Sequence, residues 1–287
     1  VSILIDKDSR VLIQGATGKQ GRYHMAKMMD YGVKVAAGVS PGKGSQEVLG
    51  APIFDTVAQA RAHTRIDATM VMVPPAGVLA AAVEAIENRV ALIVVITEHV
   101  PLHDAMIIRS MADNAGLRVV GPNTVGVISP GKCKVGVMPG FIYSQGHVGV
   151  ISRSGTLTHE IASNLTYKGI GQSTCVCIGG DMTKNTNFID VLKLFRNDAQ
   201  TRVVVMIGEI GGAGEEVAAQ YIKETGYPKK VVAYIAGSTA PAEKKMGHAG
   251  AIISGGLGSA DSKISHLEAA GVTVARRLDE ILTHADG

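Results

Sequence analysis

Short runs of β-branched and aliphatic residues recur along the chain, separated by longer stretches in which apolar residues return at helical spacing. Apolar runs of four to six residues bounded by turn formers read as buried strands, and the helical period between them reads as covering helices. In the first half the predicted strands are Val11–Gln14, Val33–Ala36, Thr69–Val73, Ala91–Ile96 and Leu117–Val120. Strands that are apolar on both faces and alternate with helices belong to parallel sheets. Breakers then cluster at Gly121-Pro122-Asn123, Ser129-Pro130-Gly131 and Met138-Pro139-Gly140, which marks a connection. The pattern restarts with His147–Ser152, Ser173–Ile178, Val203–Ile207, Val231–Ile235 and Val272–Val274. The expected organisation is α/β throughout: a doubly wound domain over 1–125, a connecting segment over 126–146 and a second α/β domain over 147–287.

Composition narrows the function classes. Glycine supplies 35 of 287 residues, about 12% against a usual ~7%, which points to many tight turns against ligands. Lys+Arg 28 against Asp+Glu 25 leaves +3, so the charge total calls for neither nucleic acid nor an anionic membrane surface. Hydrophobic content is 46%, yet the longest apolar stretch, near Val90 to Ile96, is far shorter than the ~18 residues of a membrane span. No signal sequence is evident at the N-terminus. The expected location is cytoplasmic, or an organelle matrix after removal of a transit peptide. The three cysteines, Cys133, Cys175 and Cys177, are an odd number in apolar surroundings and are expected to be buried thiols.

Two constellations carry candidate chemistry. Gly15-Ala16-Thr17-Gly18-Lys19-Gln20-Gly21 follows the first strand and opens the first helix, where backbone amides and the helix dipole can hold a phosphate. Its spacing is not the G-x-G-x-x-G of dinucleotide enzymes, and no acid closes the second strand to bind a ribose diol. Instead Ser40-Pro41-Gly42-Lys43-Gly44 offers the cation of Lys43 on a glycine-rich turn. A phosphate-rich ligand fits, coenzyme A or NADP before NAD. Val73-Pro74-Pro75 and Ile96-Thr97-Glu98 end further strands and are candidate walls of the same crevice. The competing reading is a glycine turn that only packs helix on strand.

In the second domain Gly247-His248-Ala249-Gly250 presents one imidazole with little bulk beside it, after Lys244 and Lys245. Steric access of that kind suits a nucleophile. Ile151-Ser152-Arg153-Ser154-Gly155-Thr156 runs a strand into a helix through small hydroxyl residues, a second anion site with Ser154, Gly155 and Thr156 at its mouth. Glu209, closing a strand before Ile210-Gly211-Gly212, is placed to accept a ring N–H of the imidazole. Together these predict a phosphohistidine; the alternative is that Ser154 and Glu209 only cap helices. No G-x-x-x-x-G-K-[ST] loop, kinase motif set or Mg²⁺ carboxylate cluster is evident, so the nucleotide is expected on another chain, and no metal site on this one.

These motifs, in this order and across essentially the whole length, resemble the α subunit family of succinyl-CoA synthetase, which also carries Gly121-Pro122-Asn123 and Thr156-Leu157-Thr158. The resemblance implies an N-terminal Rossmann-like CoA-binding domain and a flavodoxin-like ligase domain. It implies that coenzyme A is bound by Thr17, Gly18, Lys19, Gln20, Lys43, Ile96, Thr97 and Glu98, that His248 is phosphorylated, and that Glu209 is its partner. It further implies an ATP-grasp β subunit supplying ATP or GTP with Mg²⁺. The departures lie at the acid pocket. His159 stands where the family usually has tyrosine, Thr124-Val125-Gly126 follows Asn123 where the family has Cys-Pro-Gly, and Phe141 replaces a histidine. The acid is expected to be succinate or a variant such as malate or a sulfo-acid. Two rival functions are an NADP-dependent oxidoreductase and a non-enzymatic CoA-binding module.

Overall fold

The computed structural model describes residues 2–237, 248, 250 and 258–286. The chain separates into two compact units. The N-terminal unit comprises Leu4–Gly140 with Thr183–Asn185, and the C-terminal unit comprises Val1–Ile3, Phe141–Met182 and Thr186–Gly287.

The strands of the N-terminal unit are β1 (Arg10–Gln14), β2 (Lys34–Val39), β3 (Glu47–Val48), β4 (Ala51–Phe54), β5 (Ala68–Val71), β6 (Leu92–Val95), β7 (Arg118–Val120), β8 (Gly126–Ser129) and β9 (Cys133–Gly136). Its helices are α1 (Lys19–Asp30), α2 (Val57–His63), α3 (Val78–Glu87) and α4 (Leu102–Ala115). The main sheet has the order β3-β4-β2-β1-β5-β6-β7. All its pairings are parallel except that of the short edge strand β3 with β4. Setting β3 aside, this is the dinucleotide-type order, in which the winding reverses between β1 and β5 and opens a crevice beyond their C-terminal ends. Apolar residues fill the face covered by α3 and α4: Leu12, Val71, Ile93 and Val95 pack with Val78 and Ile108 of those helices. Burying each such side chain contributes about 1.5–3 kcal/mol. Gly116, at φ 67, ends α4 in the left-handed conformation that a side chain resists.

The stretch expected as a connection is folded. Residues 126–140 belong to the N-terminal unit, where β8 and β9 pair antiparallel. Tyr31, just past α1, accepts a hydrogen bond from Gly131 N at 2.9 Å and lies with its ring 5.6 Å below the ammonium of Lys134. Lys134 is only 3% exposed and donates to Met138 O at 2.8 Å. Burial pushes its ammonium down to about 8, helped by nearby Lys27 and opposed by Asp30. A base whose proton affinity falls on folding destabilises the native state wherever both states are charged, here below pH 8. That cost, on the order of 3 kcal/mol, is relieved as pH rises from about 8 toward the ordinary value of 10.5. Thermal melts between pH 7 and 10.5 are expected to show the parent gaining stability relative to Lys134→Met across that window, and parallel curves would disprove the assignment.

The C-terminal unit contains β10 (Gln145–Ser152), β11 (Gln172–Cys177), β12 (Val203–Glu209), β13 (Lys230–Ala236) and β14 (Thr273–Ala275). Its helices are α5 (Gly155–Tyr167), α6 (Phe188–Arg196), α7 (Gly214–Thr225), α8 (Ala260–Ala269) and α9 (Leu278–Ala285). The strands run parallel in the order β11-β10-β12-β13-β14. This is the flavodoxin-like winding, with its switch point between β10 and β12. Asn187 and Asp190 form a reciprocal capping box that starts α6. All three cysteines are buried free thiols. Among the described residues no helix is long and apolar enough to cross a membrane.

Candidate phosphoryl-transfer and CoA sites

In the N-terminal unit the glycine turn and its neighbours converge on the sheet's C-terminal edge. Gly15 N donates to Val39 O at 2.8 Å, which ties the turn after β1 to the end of β2. Thr17 donates to Ser40 Oγ through its amide at 3.2 Å and its hydroxyl at 3.1 Å. Gly18 has no side chain to cap α1, so the first amides of the helix, from Lys19 and Gln20, face outward at an exposed N-terminus. Gly15, at φ +86, passes so close to the backbone just after β5 that a Cβ there would lie 2.3 Å from Met72 O. Lys43 is exposed in the next turn, and its amide donates to Ser40 O at 3.0 Å. Further along the edge Thr97 Oγ1 donates to Val73 O at 2.7 Å, and Asn123 N donates to Thr97 O at 3.0 Å. Ile96 is half-buried and Glu98 exposed, 3.8 Å from His99 Nε2. Asn123, expected among the phosphate and substrate residues, thus closes the row of strand ends in this unit.

In the C-terminal unit the ends of β10 and β12 lie side by side, Ser152 in register with Ile207. Ser154 accepts from Leu157 N at 3.3 Å and starts α5, so it does cap that helix. Gly155 and Thr156 form the first turn, with Thr156 exposed. Among the described residues Glu209 caps no helix; its Oε2 lies 2.7 Å from His248 Nδ1. An ionised carboxylate only accepts, so Nδ1 carries the proton and Nε2 is the ring nitrogen with a lone pair for chemistry. The His248 side chain is 31% exposed and that of Glu209 11%. The imidazole stands against Gly180, where a Cβ would come within 2.7 Å of its Cγ. Gly247, Ala249, Lys244 and Lys245 lie outside the described residues.

His159 sits four residues into α5, and its Nδ1 is 2.8 Å from the Tyr143 hydroxyl. Burial holds its proton affinity below the usual imidazole range, which favours the neutral ring that accepts from the phenol. The structure thus supplies a phenol beside this histidine from Tyr143, a residue the motif reading did not single out. Arg153, Glu215 and Lys263 also escaped it. Arg153 reaches Glu209 Oε1 at 3.2 Å and Glu215 Oε1 at 3.2 Å, and Glu215 pairs with Lys263. The one signal in the sequence was an arginine at the end of an apolar run, where a charge has to be paired.

Comparison with known proteins decides the relationship. Residues 6–99 match the family described as CoA binding domain, and residues 151–273 the family described as CoA-ligase. The chain is 49% identical to "Succinate--CoA ligase [ADP-forming] subunit alpha 2" of Archaeoglobus fulgidus over 98% of this chain and 97% of that one. The chain belongs to the succinate–CoA ligase α-subunit family. Another α subunit of this name, from Methanothermobacter thermautotrophicus, is 49% identical over 98% of this chain and 95% of its own. Among solved structures, ATP citrate lyase from Methanothrix soehngenii in complex with citrate and coenzyme A superposes with a TM-score of 0.91 at 24% identity. This α-subunit chain covers 99% of itself in that match and spans half the length of the lyase. A dinucleotide forming acetyl-coenzyme A synthetase from Ca. Korarchaeum cryptofilum gives 0.78 at 20% identity, covering 97% of this chain and 60% of that one. At these identities the two structures speak for the α-subunit fold alone.

Proposed function

We propose that the protein is the α subunit of an NDP-forming acid–CoA ligase and that His248 carries the phosphoryl group as a covalent intermediate. The observation that carries this reading is the His248 Nδ1–Glu209 Oε2 bond of 2.7 Å in a member of the succinate–CoA ligase α family. With Nδ1–H engaged, Nε2 attacks the terminal phosphorus of ATP or GTP, the bond to the bridging oxygen breaks and NDP leaves. The negative carboxylate balances the positive charge that the ring gains. The nucleotide and its Mg²⁺ are assigned to an ATP-grasp β subunit.

A carboxylate oxygen of a small acid then attacks the same phosphorus, the P–N bond breaks, and an acyl phosphate forms. Ser154, Gly155 and Thr156 at the start of α5 are suited to hold the transferring phosphoryl group through backbone amides. Coenzyme A, held at the turn of Thr17 to Gln20 with Lys43 and the edge formed by Ile96, Thr97 and Glu98, attacks the acyl carbon through its thiolate and releases phosphate. The cradle fits a pyrophosphate because Gly18 leaves the first amides of α1 without a side-chain cap. Succinate is the first acid to test, given the names of the relatives. His159 and Tyr143 are assigned to its pocket. The rival oxidoreductase and sensor readings leave the paired His248 and Glu209 without a task.

The test is incubation with the β subunit and γ-labelled ATP, then with a panel of short dicarboxylates and sulfo-acids plus coenzyme A. The expected result is acid-labile, alkali-stable label on this chain, discharged by one acid of the panel with thioester formation. Tight NADPH binding with no label and no thioester would reverse the reading.

A further inference from the structure

Arg153 follows the last residue of β10, one residue before the cap of α5, and is 4% exposed. Its guanidinium gathers acceptors from three parts of the unit. Nη1 donates to Gly211 O at 2.8 Å, Glu215 Oε1 at 3.2 Å and Glu209 O at 3.3 Å. Nη2 lies 3.2 Å from Glu209 Oε1 and donates to Gly250 O at 3.3 Å. One group therefore hydrogen-bonds the backbone of Glu209, stands at ion-pair distance from the carboxylate that holds the imidazole, and also hydrogen-bonds the backbone two residues beyond His248. Gly250 must be a glycine for this approach, since a Cβ there would stand 2.9 Å from Nη2.

The guanidinium is itself fixed. Glu215 accepts from Arg153 on one oxygen and pairs with Lys263 through the other, and both side chains are fully buried. Lys263 also donates to Gly211 O at 3.2 Å and lies 3.3 Å from Glu216 Oε2. Two cations thus face the three carboxylates of Glu209, Glu215 and Glu216, one negative charge in excess, beside the imidazole. A planar fork can hold a carboxylate and two loops at fixed angles, which a point charge cannot.

We infer that Arg153 is the positioning residue of this site: it holds Glu209 with Oε2 turned to His248 Nδ1 and pins the chain past His248, so that the phosphoryl group is taken by Nε2 alone. Arg153 touches no reacting atom in this assignment and acts through Glu209. The inference rests on the phosphohistidine reading above.

The test uses the α chain with its β subunit. Arg153→Met combined with Glu215→Gln removes one buried cation and one buried anion together, and Arg153→Lys keeps the charge without the fork. Three quantities are read: the rate of labelling from γ-labelled ATP, the split of label between Nε2 and Nδ1 in an alkaline digest, and the affinity for coenzyme A. The parent is expected to carry label on Nε2 only. Removing an outer partner of this kind costs about 10–100-fold, so the double variant should label at least about tenfold more slowly, place part of its label on Nδ1 and bind coenzyme A unchanged. Arg153→Lys should fall between the two, and it serves as the measurement if the double variant does not fold. Labelling by Arg153→Lys or the double variant at the parent's rate and on Nε2 alone overturns the inference and leaves the phosphohistidine standing. No label on His248 in the parent chain overturns both.

Discussion

His248→Asn is expected to abolish labelling from γ-labelled ATP and with it thioester formation, a loss on the order of 10³-fold or more. Asparagine approximates the position of Nδ1 and can still donate an amide proton to Glu209, so the carboxylate, 11% exposed, is not left without a partner. What it lacks is a basic nitrogen at the place of Nε2. The variant therefore separates the nucleophile from the surrounding packing, and its melting temperature should stay near that of the parent. Coenzyme A affinity should also be unchanged, because the proposed binding turn at Thr17 to Gln20 belongs to the other unit. Label that persists at the parent's level on this variant would remove His248 from the mechanism.

Gly21→Ala has the second largest expected effect, on the opposite half of the chemistry. A Cβ at this position would lie 2.1 Å from Gly15 O, 2.9 Å from Gly15 C and 3.2 Å from Ala16 Cα. All three are backbone atoms of the turn itself, which is pinned in its turn by Gly15 N on Val39 O and by close approach to Met72 O. No flexible side chain can yield, so α1 has to withdraw from the turn. Overpacking of this kind typically costs about 1–3 kcal/mol, and a backbone clash belongs at or above the upper end. The amides at the start of α1 move with the helix, so coenzyme A affinity is expected to fall about 100-fold or more, judged by the sensitivity of positioned contacts to shifts near 1 Å. Labelling of His248 should persist at the parent rate. Gly18→Ala is the control for stability: its Cβ meets nothing closer than Gly15 O at 3.4 Å. Calorimetric titration with coenzyme A alongside thermal melts separates these outcomes, and unchanged affinity in Gly21→Ala would show that the turn is not the binding cradle.

The βα alternation was legible because buried parallel strands need unbroken apolar runs. The ten runs read from the pattern all fall on strands, from Val11–Gln14 in β1 to Val272–Val274 on β14. The strands that escaped it lack that signature. In β4, Ala51-Pro52-Ile53-Phe54, a proline interrupts a run of only four residues. The hairpin of β8 and β9 lies among glycines and prolines that read as a connection, and it contains the charged Lys134. Its turn and Lys134 both meet Tyr31, a contact separated by about a hundred residues and invisible to a local pattern.

The candidate sites divide along the same line. Glycines at 15, 18 and 21, the hydroxyls before α5 and an accessible histidine are local chemistry, and local chemistry is written in adjacent letters. From these the sequence by itself determined the two-domain α/β organisation and singled out the glycine turn, His248 and Glu209 as the candidates for binding and chemistry. Only the tertiary structure decided that Arg153 joins both to Gly250, that Glu215 and Lys263 fix Arg153, and that His159 is held by Tyr143. The physical reason is burial. A charge taken out of water needs partners at specific angles, and in a parallel sheet those partners come from strand ends that are neighbours in space while lying up to about a hundred residues apart along the chain.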